Sequence, residues 1–397
     1  MTTENPGSIW TRAFALLCLA QFLGYAQHFM LAPVLPLYVT DLGGSPFVVG
    51  MVLASFAVTS VLIRPLVGHW ADRWSEAGVL ISGLLFQGAS IFLCLLPRIE
   101  AVMLANGLRG IGWAGLNTGG YSLLALTAPE TRRGEASGLY SGVQSAATIL
   151  FPAVALWLLA VPFGGFAVVF TVTAALSFIG AGAGALMARY SPRVIRAPHL
   201  EASRPWWRAV FHFVEPEILL PSLLLLWLNL SLPSMTNFIV LYAREIGIEN
   251  FAVYFIVSGL TSLLARPGLG RLSDKIGRAR SIAAGFSLQV LALFLMTLVS
   301  SLSGVLVAGV LYMLGNAIGS STTLAMAVER ADPRRRGKAM ATFSVAYPLS
   351  YGVGSVLIGG TVEIAGYPGM FLILAALQAA GLFFARMNRQ SMASRAN

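Results

Sequence analysis

The sequence predicts an all-α membrane protein: twelve transmembrane helices in two pseudo-symmetric six-helix bundles. Three observations carry that prediction. Hydrophobic residues make up 57% of the 397, only 11% are charged, and the mean hydropathy is +0.77, whereas a soluble domain carries about 25% charged residues. Twelve apolar runs are each long enough to cross about 30 Å of hydrocarbon. The chain also repeats itself at one constant offset, with Thr59, Ser60, Leu62, Arg64, Pro65, Gly68 and Asp72 answered by Thr261, Ser262, Leu264, Arg266, Pro267, Gly270 and Asp274. Repeat-built membrane proteins show this kind of internal duplication.

In chain order the runs fall at 13–39, 46–67, 78–97, 101–127, 136–161, 164–190, 218–242, 250–269, 279–300, 303–328, 338–364 and 367–387. The first is too long for a signal-peptide core of about 7–15 residues and lacks a small-residue cleavage site, so it is expected to remain as a span. Short turns join most runs. The long interruption at 191–217 divides the chain into an N-terminal bundle (1–190), a central loop and a C-terminal bundle (218–397).

Basic residues set the orientation. Of the 26 Lys and Arg, all except Arg98, Arg109 and Arg244 fall on one side of the predicted spans. Both termini and the central loop are therefore expected to be cytoplasmic. The net charge of +10 follows from that bias and calls for no nucleic-acid partner. In the central loop, Trp206, Trp207, Arg208, Phe211 and Phe213 suit a tether lying on the membrane surface, with a lipid-sensing role as the alternative. Cys18 and Cys94 lie in apolar runs without a partner motif and read as small core residues.

The charged turn after the eighth run is Gly270-Arg271-Leu272-Ser273-Asp274-Lys275-Ile276-Gly277-Arg278. It resembles the loop signature G-x-L-x-D-[RK]-x-G-R of the major facilitator superfamily. The turn after the second run keeps Gly68, Asp72 and Arg73 but has Ser75 and Glu76 where the pattern has Gly and Arg. Arg133-Gly134-Glu135-Ala136 and Arg336-Gly337-Lys338-Ala339 form a second repeated pair. The resemblance spans essentially the whole chain and implies cytoplasmic gate residues Gly68, Asp72, Arg73, Gly270, Asp274, Lys275, Gly277 and Arg278. Physically, Asp72 and Asp274 are short carboxylates able to cap helix N-termini; the expected targets are the starts of helices 11 and 5. Lys338 favours the first docking, and Glu135 opposes the second unless Arg132 or Arg133 intervenes.

All sixteen acidic residues fall in loops or near helix ends, leaving Arg109 and His28 as the ionisable groups at membrane depth. A buried Arg is expensive unless it faces a cavity or a partner. Asn106-Gly107-Leu108-Arg109-Gly110-Ile111-Gly112-Trp113 resembles the superfamily's fourth-helix signature, which implies a place near a central cavity and a part in substrate or proton coupling. Packing against neighbouring amides is the alternative. Helical spacing adds Gln21, Tyr25 and His28 on helix 1, Asn106, Trp113 and Asn117 on helix 4, and Gln144 one turn after Tyr140 on helix 5. Asn237, Tyr312, Asn316, Tyr347 and Tyr351 are the candidates in the second half, with Tyr312 at the repeat position of Arg109. His28 could carry a proton or sit satisfied between helices.

The expected function is secondary active transport of a small organic solute by alternating access, as a proton-coupled exporter of drug-like compounds or metabolites. Exporters of the drug-efflux branch show G-P-x-x-G-G on helix 5, where this chain has Phe151-Pro152-Ala153-Val154-Ala155. A proton-coupled uptake symporter for an organic acid, sugar or amino-acid-like solute is therefore the alternative. A non-transporting receptor or enzyme ranks below both, since no metal-ligand or hydrolytic spacing and no phosphate loop is found. No cofactor or metal is expected. The partners are the solute, protons and the bilayer; an arginine-rich composition points to a bacterial inner membrane, and the superfamily resemblance implies a monomer.

Overall fold

The computed structural model describes residues 9–129, 132–190, 215–248, 251–332 and 336–392. The tether residues of the central loop up to Phe213 lie outside them. Every regular element among the described residues is helical: α1 (Arg12–Asp41), α2 (Pro46–Leu62), α3 (Arg64–Arg73), α4 (Glu76–Ile91), α5 (Ile99–Thr127), α6 (Arg133–Ala160), α7 (Phe166–Tyr190), α8 (Leu219–Leu230), α9 (Ile239–Glu245), α10 (Ala252–Ile276), α11 (Arg278–Met296), α12 (Leu302–Arg330), α13 (Arg336–Met387) and α14 (Arg389–Met392). Large apolar side chains such as Leu62, Leu264, Phe163 and Ile364 face outward, as they do where lipid is the solvent.

Eight helical stretches among the described residues are long and apolar enough to cross a membrane, and a bent pair, Pro46–Leu62 with Arg64–Ala71, makes a ninth. The bend of 44° falls where Pro65 removes a backbone donor and its ring crowds the preceding turn. Besides this bend, and the eighth run, whose Ala252–Ala265 stretch is only a shorter apolar helix, three features depart from the expectation of one straight spanning helix per run. The seventh run is interrupted by a π-helical turn, Ser234–Phe238, directly after Pro233. The eleventh and twelfth runs form one stretch broken at Gly366, whose φ of +66° suits a residue without a Cβ. Finally, α5 has 29 residues yet falls outside the apolar set, because Asn106, Arg109, Asn117 and six glycines dilute its hydropathy.

The chain forms two compact units, one of residues 1–31 and 58–212, the other of 32–57 and 213–397. In the first unit, Phe14, Leu17, Leu80, Leu84, Leu116, Leu123, Tyr140 and Met187 form the core. Here α4 and α5 cross at glycines: a Cβ on Gly83 would stand 2.7 Å from the Gly112 carbonyl oxygen. In the second unit, Leu224, Leu228, Ile282, Phe286 and Met326 pack together. There α11 and α12 cross in the same way, and a Cβ on Gly285 would stand 2.9 Å from the Gly315 carbonyl. Small residues let membrane helices approach to backbone contact.

The C-terminal part of α1 and the N-terminal part of α2 belong to the second unit. Arg244 pairs with Asp41 at 2.6 Å and Ser45 donates to Glu363 at 3.0 Å. Both contacts are solvent-facing and worth little energetically. A buried link is stronger. Pro36 supplies no N–H to the Ala32 carbonyl, four residues back in α1, and the Asn237 amide donates to that carbonyl at 2.9 Å.

Candidate functional site

The first unit holds the Arg109 site, built by α1 and α5. Arg109 is only 2% exposed and lies between Gly107 and Gly110 on α5. One guanidinium nitrogen donates to Asn106 Oδ1 at 2.6 Å, one turn back on the same helix. Another lies 3.4 Å from His28 Nδ1. Because a guanidinium can only donate, Nδ1 must accept in this contact, which makes His28 the Nε2–H tautomer. The His28 ring stacks on Trp113 with centroids 4.2 Å apart, and Tyr25 lies 4.7 Å from the same indole. Tyr25 donates to Asn117 Oδ1 at 2.9 Å, and the Asn117 amide donates to the Trp113 carbonyl at 2.9 Å. Six of the expected residues, Tyr25, His28, Asn106, Arg109, Trp113 and Asn117, are thus joined in one connected group. A cationic fork beside aromatic faces can bind a carboxylate or another planar anion.

Gln21 and Gln144 lie elsewhere in this unit, both buried, grouped with Tyr140 and Tyr121. A buried pair that the sequence reading did not single out, Gln27 donating to Gln87, joins α1 to α4. The repeat offset carries a signal for it, since Gln27 and Gln87 correspond to Asn229 and Gln289, which are also buried.

In the second unit the expected residues divide into separate groups. Asn237 sits in the π-helical turn, donates to Ala32 and accepts from Thr236 at 2.8 Å and from Tyr351. Tyr312 instead shares a 2.7 Å hydrogen bond with Ser231, which also receives the Gln378 amide at 2.7 Å. Asn316 donates to Asn229 at 3.0 Å, while Tyr347 is 48% exposed. Asn237→Ala is expected to lower thermal stability by about 1–3 kcal/mol, because Ala32 loses its donor and the Tyr351 hydroxyl loses its acceptor, while Thr236 keeps the Leu232 carbonyl at 3.0 Å. Asn237→Asp keeps the acceptor but cannot donate to Ala32 and should also destabilise; melting of the purified variants checks both.

At the signature turns, Gly277 has a φ of +89°, a conformation that glycine accepts readily. Arg278 then reaches Ser273 Oγ at 3.2 Å and pairs with Glu329 at 2.5 Å, fastening the turn to the end of α12. The departure at Ser75 and Glu76 has a physical counterpart. Ser75 is extended, its hydroxyl accepts from Gly78 N–H at 3.1 Å, and Glu76 occupies the first turn of α4, an N-cap with a favourable dipole partner. Glu135 is paired with Arg132 at 2.7 Å. Gly68 has open space around it, and Arg73 and Lys275 are exposed. The side chains of Asp72 and Asp274, and Gly270, lie outside the described set.

A sequence profile of the Major Facilitator Superfamily matches residues 17–328, and again 219–396. The chain belongs to this superfamily. It is 28% identical to the multidrug resistance protein MdtG of Yersinia enterocolitica over 314 residues, covering 75% of this chain and 74% of that protein. Against MdtG of Dickeya zeae the identity is 26%, over 97% and 96% of the two chains. Among solved structures, a bacterial homologue of the human lysosomal transporter Spinster, inward-facing and unoccupied, has a TM-score of 0.77 at 16% identity, covering 97% of this chain and 98% of that one. A POT family transporter in complex with 5-aminolevulinic acid has a TM-score of 0.80 at 15% identity, covering 96% of both. These two likenesses establish the fold.

Proposed function

We propose that this superfamily member is a proton-coupled exporter of a small organic solute, acting by alternating access in a bacterial inner membrane. The carrying observation is the buried Arg109 site, which joins a cation, a neutral imidazole and an indole in a helix core. A group of that kind is costly in lipid and is retained where it acts on a solute or a coupling ion. The direction of transport is supported by the relatives named as multidrug resistance proteins. We read twelve spans in two pseudo-symmetric halves, 1–190 and 218–397, joined by the loop at 191–217, with both termini cytoplasmic and the monomer as the working unit. Arg109 favours an anionic or zwitterionic solute, and His28 is the proton-carrying candidate.

The test is counterflow in proteoliposomes with a panel of anionic, cationic and neutral solutes while internal pH is recorded, for wild type, Arg109→Ala and His28→Ala. Solute-dependent proton movement lost in either variant is the expected result. Proton movement in the same direction as the solute would replace export with uptake symport, and transport that persists in both variants would remove the site. For the gate, Asp72→Asn is expected to slow transport several-fold at normal abundance and melting temperature; unchanged transport would remove its gating role.

A further inference from the structure

Three helix ends of the first unit come to one level. α7 runs antiparallel to α1, since a Cβ on Gly180 would stand 3.5 Å from the Ala20 carbonyl oxygen and Thr173 reaches Met30 Sδ at 3.8 Å. It runs antiparallel to α4 as well: a Cβ on Gly184 would stand 2.9 Å from Leu80, and one on Gly88 3.1 Å from Ser177. Trp10 and Tyr190 are each ten residues from the Gly180–Ala20 contact, and Trp74 and Tyr190 each six from the Gly184–Leu80 contact. At 1.5 Å per residue all three therefore reach about the same height. The Arg12 guanidinium, 5.8 Å from the centre of the Tyr190 ring, fixes that register directly. Six side chains are exposed on this end: Trp10 and Trp74, at 69% and 64%, Tyr190, and Arg12, Arg73 and Arg189. Beneath them Ile9, Ala13, Phe14, Leu80 and Met187 share one core, so buried packing holds the three ends side by side.

The 25 residues of α7 extend about 38 Å, more than the roughly 30 Å of hydrocarbon that they cross, so its last turn stands among lipid headgroups. Trp and Tyr rings are favoured at that depth, and arginine is the side chain best matched to a phosphate. The neighbouring acid, Glu76, lies in the first turn of α4, where the helix dipole already offsets its charge. The adjoining chain is a poor cover for the patch, because residues 191–214 carry four arginines against one glutamate and like charges repel. We infer that this patch binds the headgroup of an anionic membrane lipid. Arg12, Arg73 and Arg189 supply the positive charge for its phosphate, and Trp10, Trp74 and Tyr190 pack against its glycerol and upper acyl chains. The placement in a bilayer rests on the transporter reading above; binding of the lipid is measured without transport, so either reading can fail while the other stands.

The experiment measures, by native mass spectrometry, lipid retained by the purified full-length protein in detergent micelles doped with palmitoyl-oleoyl phosphatidylglycerol or with the phosphatidylcholine of the same chains. Wild type is expected to hold phosphatidylglycerol at least about tenfold more tightly than phosphatidylcholine, as two or more arginines at an anionic surface would give. Arg12→Gln, Arg73→Gln and Arg189→Gln should each weaken phosphatidylglycerol about fivefold, the worth of one such arginine, and leave phosphatidylcholine unchanged. All three side chains are exposed, so the variants should melt as wild type does. Arg98→Gln removes the same charge from the exposed N-cap of α5, beyond the opposite end of α4, and should alter neither lipid. The double variant Trp10→Ala, Trp74→Ala should weaken both lipids alike. Equal retention of the two lipids by wild type would overturn the site, and so would equal weakening of phosphatidylglycerol by Arg98→Gln and Arg12→Gln. Displacement of bound phosphatidylglycerol by excess inorganic phosphate would also overturn it, because the ligand would then be a free anion and not a lipid.

Discussion

Arg109→Ala is expected to reduce solute transport by at least about a hundredfold while leaving abundance and melting temperature close to wild type. The transport loss follows from removing Arg109, the one fully buried cation among the described residues of the first unit, whose charge-assisted hydrogen bonds are each worth about 1.5–3 kcal/mol. Stability should change little, because removing a buried charge also removes its desolvation cost. Arg109→Lys is the informative companion. A lysine keeps the charge but loses the planar fork that reaches Asn106 at 2.6 Å and His28 at 3.4 Å together. An intermediate loss, about tenfold, would assign the role to geometry as well as charge. Transport by Arg109→Ala at wild-type rates in proteoliposomes would dismiss the site.

The second large effect concerns folding. Gly83→Leu is expected to abolish recovery of monodisperse protein, because even a Cβ at Gly83 would stand 2.7 Å from the Gly112 carbonyl and 2.9 Å from the Leu116 nitrogen. The side chain must push α4 and α5 apart along their whole crossing, and overpacking of a tight contact costs about 1–3 kcal/mol or more. Gly182→Leu is the matched control: on α7, a Cβ there meets nothing within 4 Å, so it should behave as wild type. Size-exclusion profiles and melting temperatures of the two variants decide the matter. Equal behaviour would mean the glycine crossing does not set the packing of the first unit.

Much of this was legible in the sequence because hydropathy is additive. A long apolar run declares its span whatever it packs against, and the rarity of charge inside lipid made Arg109 and His28 stand out. Helical spacing then placed Tyr25, Trp113 and Asn117 beside them. Spacing along one helix cannot say which side chains on different helices meet, however. Asn237, Tyr312 and Asn316 are all candidates as polar residues on apolar helices, yet they bond to Ala32, Ser231 and Asn229 respectively. The π-helical turn at Ser234–Phe238 was equally invisible, since Pro233 announces an interruption but not the form that it takes. Gln27 and Gln87 escaped notice for a different reason. A glutamine in an apolar run looks like noise until its partner on another helix is known.

The link between Asn237 and the carbonyl that Pro36 leaves open bears on how this protein can be divided. Residues 32–57 pack with 213–397 rather than with the chain that flanks them. A polypeptide severed in its central loop would therefore carry, on its N-terminal fragment, a strap that packs mainly with the other piece. Two such fragments made in the same cell should reassociate by exchange of that strap, as domain-swapped proteins do. The C-terminal fragment made alone would expose the bare Asn237 amide and an uncovered apolar face. A spin label at Leu35 or Val39 would likewise report the behaviour of the second unit, although it is attached to the first helix of the chain.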